Sequence, residues 1–194
     1  MNLYAYIILR PLILPAVAPQ ITLLAGVATA NALARASGLD TRIKWPNDIF
    51  LYGKKVAGIL SEMEIDDTRT RFVILGVGVN VNWQREDIPS DLRGIATSLR
   101  AEGGREISRT LIAAEIFEEL EEEYTLFLGE GFSPRLREEW NRLSWINGKL
   151  VTVSLPDKEI SGKVLGLDTD GALLLLDPEG ETQRFIVGDI SLRL

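Results

Sequence analysis

The 194-residue sequence contains no cysteine and no histidine. Without cysteine there is no disulfide, no thiol nucleophile and no thiolate-held zinc. Without histidine a Ser-His-Asp triad, an imidazole base and a histidine-ligated metal are excluded. Acid–base and electrostatic work therefore falls to Lys, Arg, Asp, Glu, Tyr or backbone amides. Positive charge is also scarce: 21 Lys and Arg face 28 Asp and Glu, for a net charge of −7, and no basic run occurs. Such a balance argues against nonspecific nucleic-acid binding, which needs clustered cations for phosphates. The apolar N-terminal stretch is interrupted by Arg10, Pro11, Pro15 and Pro19. It therefore falls short of the roughly 18 apolar residues of a membrane span. Arg10 sits inside that stretch rather than ahead of it, unlike the charge of a secretory signal. The expectation is a cytoplasmic globular protein without a membrane association.

Hydrophobic residues make up 46% and charged residues 25%, enough for one ordinary domain and a small second one. Asn2 to Leu9 reads as a buried strand stopped by Pro11. Pro19 opens a helix to about Ser37, with Ile21, Leu24, Ala25, Ala28 and Leu33 as its buried stripe and Gly38 as its stop. Thr41 to Trp45 and Ile49 to Tyr52 read as short strands around the Pro46-Asn47-Asp48 turn. Val56 to Ile65 and Arg71 to Val81 read as an antiparallel hairpin. Trp83 to Arg105 looks irregular. Ser108 caps a helix to about Leu128, its remaining faces covered by solvated glutamates, and Ser133-Pro134 starts another ending near Leu143. After Asn147 five short strands alternate with turn residues, the pattern of a small SH3-like barrel. The division expected is 1–146 and 147–194.

Three features between Lys44 and Asn82 carry chemistry. In Leu75 to Asn82, period-two alternation turns Val77, Val79 and Val81 inward and Gly76, Gly78 and Asn80 the other way. Two glycines on one strand face suit the approach of a flat ligand to the backbone, or else a bulge or a closely packed helix. Lys55 opens a strand after a tight turn, where an ammonium can be held toward a cleft and meet a phosphate, or simply be a surface lysine. Lys44-Trp45-Pro46-Asn47-Asp48 fixes a strand end that offers side-chain hydrogen bonds, or a well-made turn.

These blocks, in this order and spacing, resemble the biotin protein ligases: Lys44 to Asp48, Lys55-Val56-Ala57-Gly58-Ile59-Leu60 with Glu62, and Gly76-Val77-Gly78-Val79-Asn80. Asn2-Leu3-Tyr4, Leu9-Arg10-Pro11, Thr97-Ser98-Leu99, Gly171 to Leu174 and Gly188 to Arg193 extend the resemblance to the chain end. Asp189 stands where many members have Glu. The resemblance implies an α+β fold, with a mixed, largely antiparallel sheet packed with helices and a small C-terminal SH3-like β-barrel. It implies a two-step reaction in which biotin and MgATP give biotinyl-5′-adenylate, and biotin then passes to a lysine of a biotin carboxyl carrier domain. Lys55 matches the family's essential lysine, contacting biotin carboxylate and α-phosphate. Gly58, Leu60, Gly76 and Gly78 match positions lining the biotin and adenylate site. Asn47 and Asn80 match nucleotide contacts, Lys44 the basic residue opening its block, and Arg193 a small-domain arginine closing over the nucleotide. No protein-held metal is implied, since Mg2+ arrives with ATP. A homodimer through sheet edges is the implied assembly.

Family members also carry a Gly-Arg-Gly-Arg-x-Gly-Arg loop before the strand at Asn2, which has no counterpart in these 194 residues. Nor does the winged-helix DNA-binding domain of the repressor-type members. The expectation is that the loop is encoded upstream of Met1, or that the 194 residues alone are impaired in adenylation. Two alternatives accompany the ligase reading: a non-catalytic biotin-binding remnant, and a ligase for lipoate or octanoate.

Overall fold

Alternation along Arg69–Val79 decides the main sheet: Val73, Leu75, Val77 and Val79 are buried, and the residues between them face the opposite side. In the computed structural model, which describes residues 1–66, 68–186 and 188–192, this strand (β5) lies between β1 (Leu3–Leu9) and β4 (Lys54–Asp66). Strands β3 (Asp48–Leu51) and β2 (Arg42–Lys44) complete an antiparallel sheet of order β1-β5-β4-β3-β2. The hairpin expected from sequence is β4–β5, and its register sets Gly58 opposite Gly78 and Leu60 opposite Gly76. Within β2 and just beyond it, Ile43 and Trp45 are buried while Arg42 and Lys44 lie on the more open side.

Helix α1 (Pro19–Ser37) packs on the buried face and ends where Gly38 adopts φ 76°. Its buried surface is wider than the predicted stripe, taking in Leu23, Val27, Ala30 and Ala32. The reason is a third layer: α3 (Arg109–Glu130) and α4 (Pro134–Leu143) cover the side of α1 away from the sheet. By length and composition Pro15–Ser37 is apolar enough to cross a membrane, but most of it is buried inside this fold. Small side chains let the helix serve as this middle layer.

The glutamates of α3 are not all solvated. Glu119 and Glu123 are buried, the first paired with Arg35 and the second accepting two hydrogen bonds from Arg135, at 3.0 and 2.6 Å. A buried carboxylate requires such a partner, and here the partners come from the helices packed alongside. The segment Trp83 to Arg105 also holds order that composition hid. A short helix α2 (Leu99–Gly103) starts at Ser98, whose hydroxyl accepts from the Ala101 amide.

A second antiparallel sheet is built from β6 (Leu150–Ser154), β7 (Glu159–Leu167), β8 (Leu173–Leu176), β9 (Thr182–Phe185) and β10 (Asp189–Leu192), in the order β10-β6-β7-β8-β9. The α+β expectation holds, and the five expected small-domain strands are present. Among the described residues no ladder joins β9 to β10, so this SH3-like unit is an open five-stranded sheet rather than a fully closed barrel. The connection that leads into it after α4 is tied to the first sheet by a bridge of Ile43 with Ser144 and a stacked pair, Phe50 and Trp145, with ring centroids 4.8 Å apart.

Candidate functional site

The β3–β4 connection is two residues long, and both have positive φ, 49° at Tyr52 and 80° at Gly53. Such turns match the strand twist and hold a hairpin tightly. Lys55 follows as the second residue of β4, with its main chain fixed on the outer side. Its N–H donates to the Ile95 carbonyl at 2.8 Å, and its carbonyl accepts from the Thr97 amide at 2.9 Å. A register shift between Ile49 and Phe50 sets Asp48 opposite Gly58. The Lys55 ammonium thereby comes within 2.6 Å of Asp48 Oδ1, with side chains 46% and 20% exposed.

Gly58 provides the room for this pair. A Cβ there would lie 3.0 Å from Lys55 Cε and 3.1 Å from Nζ. The two glycines of β5 have a related reason. Tyr6 is registered opposite Gly76 and Tyr4 opposite Gly78. A Cβ on Gly76 would meet the Tyr6 ring at 3.1 Å, and one on Gly78 the Tyr4 ring at 3.4 Å. The bare strand face is therefore floored by two aromatic rings, themselves 71% and 75% exposed. Neither a bulge nor a covering helix accounts for these glycines: the β1–β5–β4 register is regular there, and α1 lies on the opposite face.

Tyr4, Tyr6, Asn47, Lys55, Gly58, Leu60, Gly76 and Gly78 line one cleft of about 310 Å³. Asn47 is held by a reciprocal contact, its side-chain amide donating to the Ile59 carbonyl at 2.8 Å and its own carbonyl accepting the Ile59 amide at 2.9 Å. Asn47 and Leu60 also line a second cleft of about 350 Å³, walled by the start of α1 and by Gly171 and Ile186 of the small domain. The two clefts share a wall along β4. An ammonium, bare backbone and flat rings on one surface suit a planar, anionic ligand, with charge stabilisation by Lys55 and no need for an imidazole.

Six of the nine sequence-predicted site residues are brought together here: Asn47, Lys55, Gly58, Leu60, Gly76 and Gly78. Lys44 and Asn80 stand apart from the cleft wall. Lys44 Nζ lies 5.7 Å from the centre of the Phe50 ring. The Asn80 side chain donates to the Thr97 carbonyl at 3.0 Å. Arg193 lies outside the described residues.

Comparison with known proteins bears on the chain as a whole. Residues 2–80 match the model of the biotin/lipoate A/B protein ligase family, and residues 147–193 that of the biotin protein ligase C terminal domain. The biotin–[acetyl-CoA-carboxylase] ligase of Paracoccus denitrificans is 30% identical, with the match covering 92% of this chain and 75% of that protein. The chain belongs to the biotin protein ligase family. The bifunctional ligase/repressor BirA of Bacillus spizizenii is 40% identical over 92% of this chain and 55% of its own length. This member thus spans about half the length of the first of the curated relatives that it matches. The Aquifex aeolicus biotin protein ligase, solved in complex with biotin and ATP, superposes with a TM-score of 0.84 at 27% identity, over 99% of this chain and 78% of that one.

Within this ligase fold, three contributors were not legible beforehand. Tyr4 and Tyr6 had read only as strand residues, although the alternation Tyr-x-Tyr opposite Gly-x-Gly was there to find. Asp48 reads from sequence as a hydrogen-bonding residue at a strand end or a turn residue, and its pairing with Lys55 depends on the register shift, which sequence does not announce. The Ile95–Thr97 segment that brackets Lys55 carried only its resemblance to a family motif.

Proposed function

We propose that this biotin protein ligase activates biotin with MgATP and transfers it to a lysine of a biotin carboxyl carrier domain. In the first step a biotin carboxylate oxygen attacks the α-phosphorus of ATP. The bond to the β-phosphate oxygen breaks, and pyrophosphate leaves with Mg2+. In the second, the acceptor amine attacks the anhydride carbonyl, AMP departs and an amide forms. The observation that carries this reading is Lys55, whose ammonium stands over Gly58 at the open glycine face, 2.6 Å from Asp48. A fixed point charge there neutralises the carboxylate and the α-phosphate as they approach, and gains most where charge accumulates in the transition state.

Gly58, Gly76 and Gly78 let the ligand reach the backbone, Leu60 and the tyrosine rings supply apolar wall, and Asn47 offers an amide at the cleft edge. Asn47, Asn80 and Arg193 belong to the nucleotide side of this proposal, and Lys44 is the basic residue that opens the block beside it. The proposal also includes a division into a catalytic unit, 1–146, and a small unit, 147–194, a cytoplasmic setting, and pairing of two copies through sheet edges.

The test is transfer of labelled biotin to a purified carrier domain by the protein as expressed from its gene, with MgATP. Labelling that requires biotin and ATP supports the reading. Transfer of lipoate or octanoate alone, or heat stabilisation by biotin without pyrophosphate release, contradicts it.

A further inference from the structure

One short segment touches both Lys55 and Asn80. Ile95 and Thr97 bond the Lys55 main chain on either side, at 2.8 and 2.9 Å, while the Thr97 carbonyl accepts from the Asn80 side chain at 3.0 Å. Leu99 closes the loop, its amide donating to the Asn80 carbonyl at 3.0 Å. The lysine of β4 and the asparagine that follows β5 are thus set relative to one another by residues 95–99. The strands also join them directly, since the Asn80 amide donates to the Val56 carbonyl at 2.8 Å, and the segment adds a second tie from the outer side.

On its N-terminal side the chain holds only one short 3-10 helix, Arg85–Asp87, and turns, with the Ile95 and Ala96 amides donating to the Leu92 carbonyl at 3.0 and 2.8 Å. Thr97 is 2% exposed, and its hydroxyl donates to Glu102 Oε1 at 2.6 Å. The Glu102 side chain is 13% exposed, and its other oxygen lies 3.9 Å from Arg85. A hydroxyl-to-carboxylate bond of that length is charge-assisted and stronger than a neutral one. Glu102 is itself fixed on α2, whose start is capped by Ser98, and the Ser98 hydroxyl donates to the Trp83 carbonyl at 2.6 Å. An otherwise unremarkable threonine is tied down by a mostly buried acid, five residues along.

We propose that Thr97 and Glu102 are a positioning pair for the ligase reaction, fixing the main chain that carries Lys55 relative to the Asn80 amide. The inference rests on the ligase reading above for its effect on rate, and on geometry alone for its effect on the Lys55 backbone. Neither residue lines the Lys55 cleft; each acts through the 95–97 segment. Preorganisation of this kind acts on the chemical step more than on ground-state binding.

The experiment compares Thr97→Val, which keeps the shape and removes the hydroxyl, with Thr97→Ser, which keeps the hydroxyl. Amide hydrogen exchange at Lys55 and Thr97 is read beside kcat and KM for biotin-dependent pyrophosphate release. For Thr97→Val, loss of a charge-assisted bond predicts exchange faster by about tenfold at both amides and kcat lower by about tenfold or more. KM for biotin should stay within about twofold. Thr97→Ser should restore both readouts. Should Thr97→Val unfold, Glu102→Gln, which retains an acceptor oxygen without the charge, is expected to show a smaller shift in the same two readouts. Exchange and kcat unchanged in Thr97→Val, or a Thr97→Ser protein as impaired as Thr97→Val, would overturn the proposal. Absence of any biotin-dependent pyrophosphate release in the unaltered protein would instead defeat the ligase reading, and the exchange rates would then decide the pair by themselves.

Discussion

Lys55 and Asp48 meet across the β3–β4 hairpin, Nζ to Oδ1 at 2.6 Å, over a glycine that leaves them room. Asp48→Asn keeps the shape and removes the counter-charge. Because the pair is partly solvated, its loss should cost less than about 1 kcal/mol of stability. Its effect on activation should be larger, about tenfold in kcat, since the ammonium loses its orienting partner. Denaturant unfolding and pyrophosphate release, measured on the same preparation, separate the two. A large loss of stability with unchanged kcat would assign the pair to the fold.

Gly76 and Tyr6 are coupled by contact. Gly76→Ala places a methyl 3.1 Å from the Tyr6 ring, and the ring must give by a few tenths of an ångström. The expected cost is about 1–2 kcal/mol in urea unfolding. Tyr6→Ala should relieve most of it, giving a coupling of about 1 kcal/mol in the double-mutant cycle. Additive effects would mean that the ring does not floor this glycine.

These two cases mark what sequence could and could not carry. The β4–β5 hairpin was legible because Val73, Leu75, Val77 and Val79 alternate with period two in β5, and a one-residue slip would turn all of them outward. The function of the glycine face was half legible, since the ring of a registered tyrosine fills it as well as a ligand would. The Lys55–Asp48 contact was hidden because a one-residue register shift decides it. Glu119 and Glu123 read as solvated because their partners, Arg35 and Arg135, lie on other helices, and helical periodicity sees only one helix at a time. Openness of the small sheet depends on whether its outer strands meet, which turn spacing does not determine.

Removing Arg135 should reveal the buried carboxylate. Glu123 is 5% exposed and accepts both bonds of the Arg135 guanidinium, whose pKa is raised chiefly by that hydrogen bonding. Arg135→Ala leaves the acid unpaired between α3 and α4. A loss of about 2–3 kcal/mol is expected, reduced from the cost at a fully buried pair because Arg135 itself is half exposed. Adding Glu123→Gln should recover part of it, as read from chemical denaturation.

Acid stability should report on Glu139. Its carboxyl is held below the ordinary glutamate value, first by hydrogen bonding from Arg142, with burial opposing and Asn31 assisting. A depressed folded pKa means the contribution is complete above the unfolded value, about 4.3. It is then lost as pH falls through the depressed folded value. Glu139→Gln should therefore lower Tm at pH 7 and match the unaltered protein at about pH 2. A residual acid slope should survive in the variant, because Asp168 and Asp177 are depressed too, mainly by the Thr169 amide and the Gln183 side chain respectively. A Tm difference independent of pH would remove Glu139 from this role.

The central claim is that Lys55 is the charge on which biotin activation turns. Biotin-dependent exchange of labelled pyrophosphate into ATP measures that step without a carrier. The protein as expressed from its gene should show exchange that requires biotin, and Lys55→Ala should lose it by about a hundredfold or more while unfolding at nearly the same temperature. Undiminished exchange in folded Lys55→Ala, or no biotin dependence in the unaltered protein, would contradict the account.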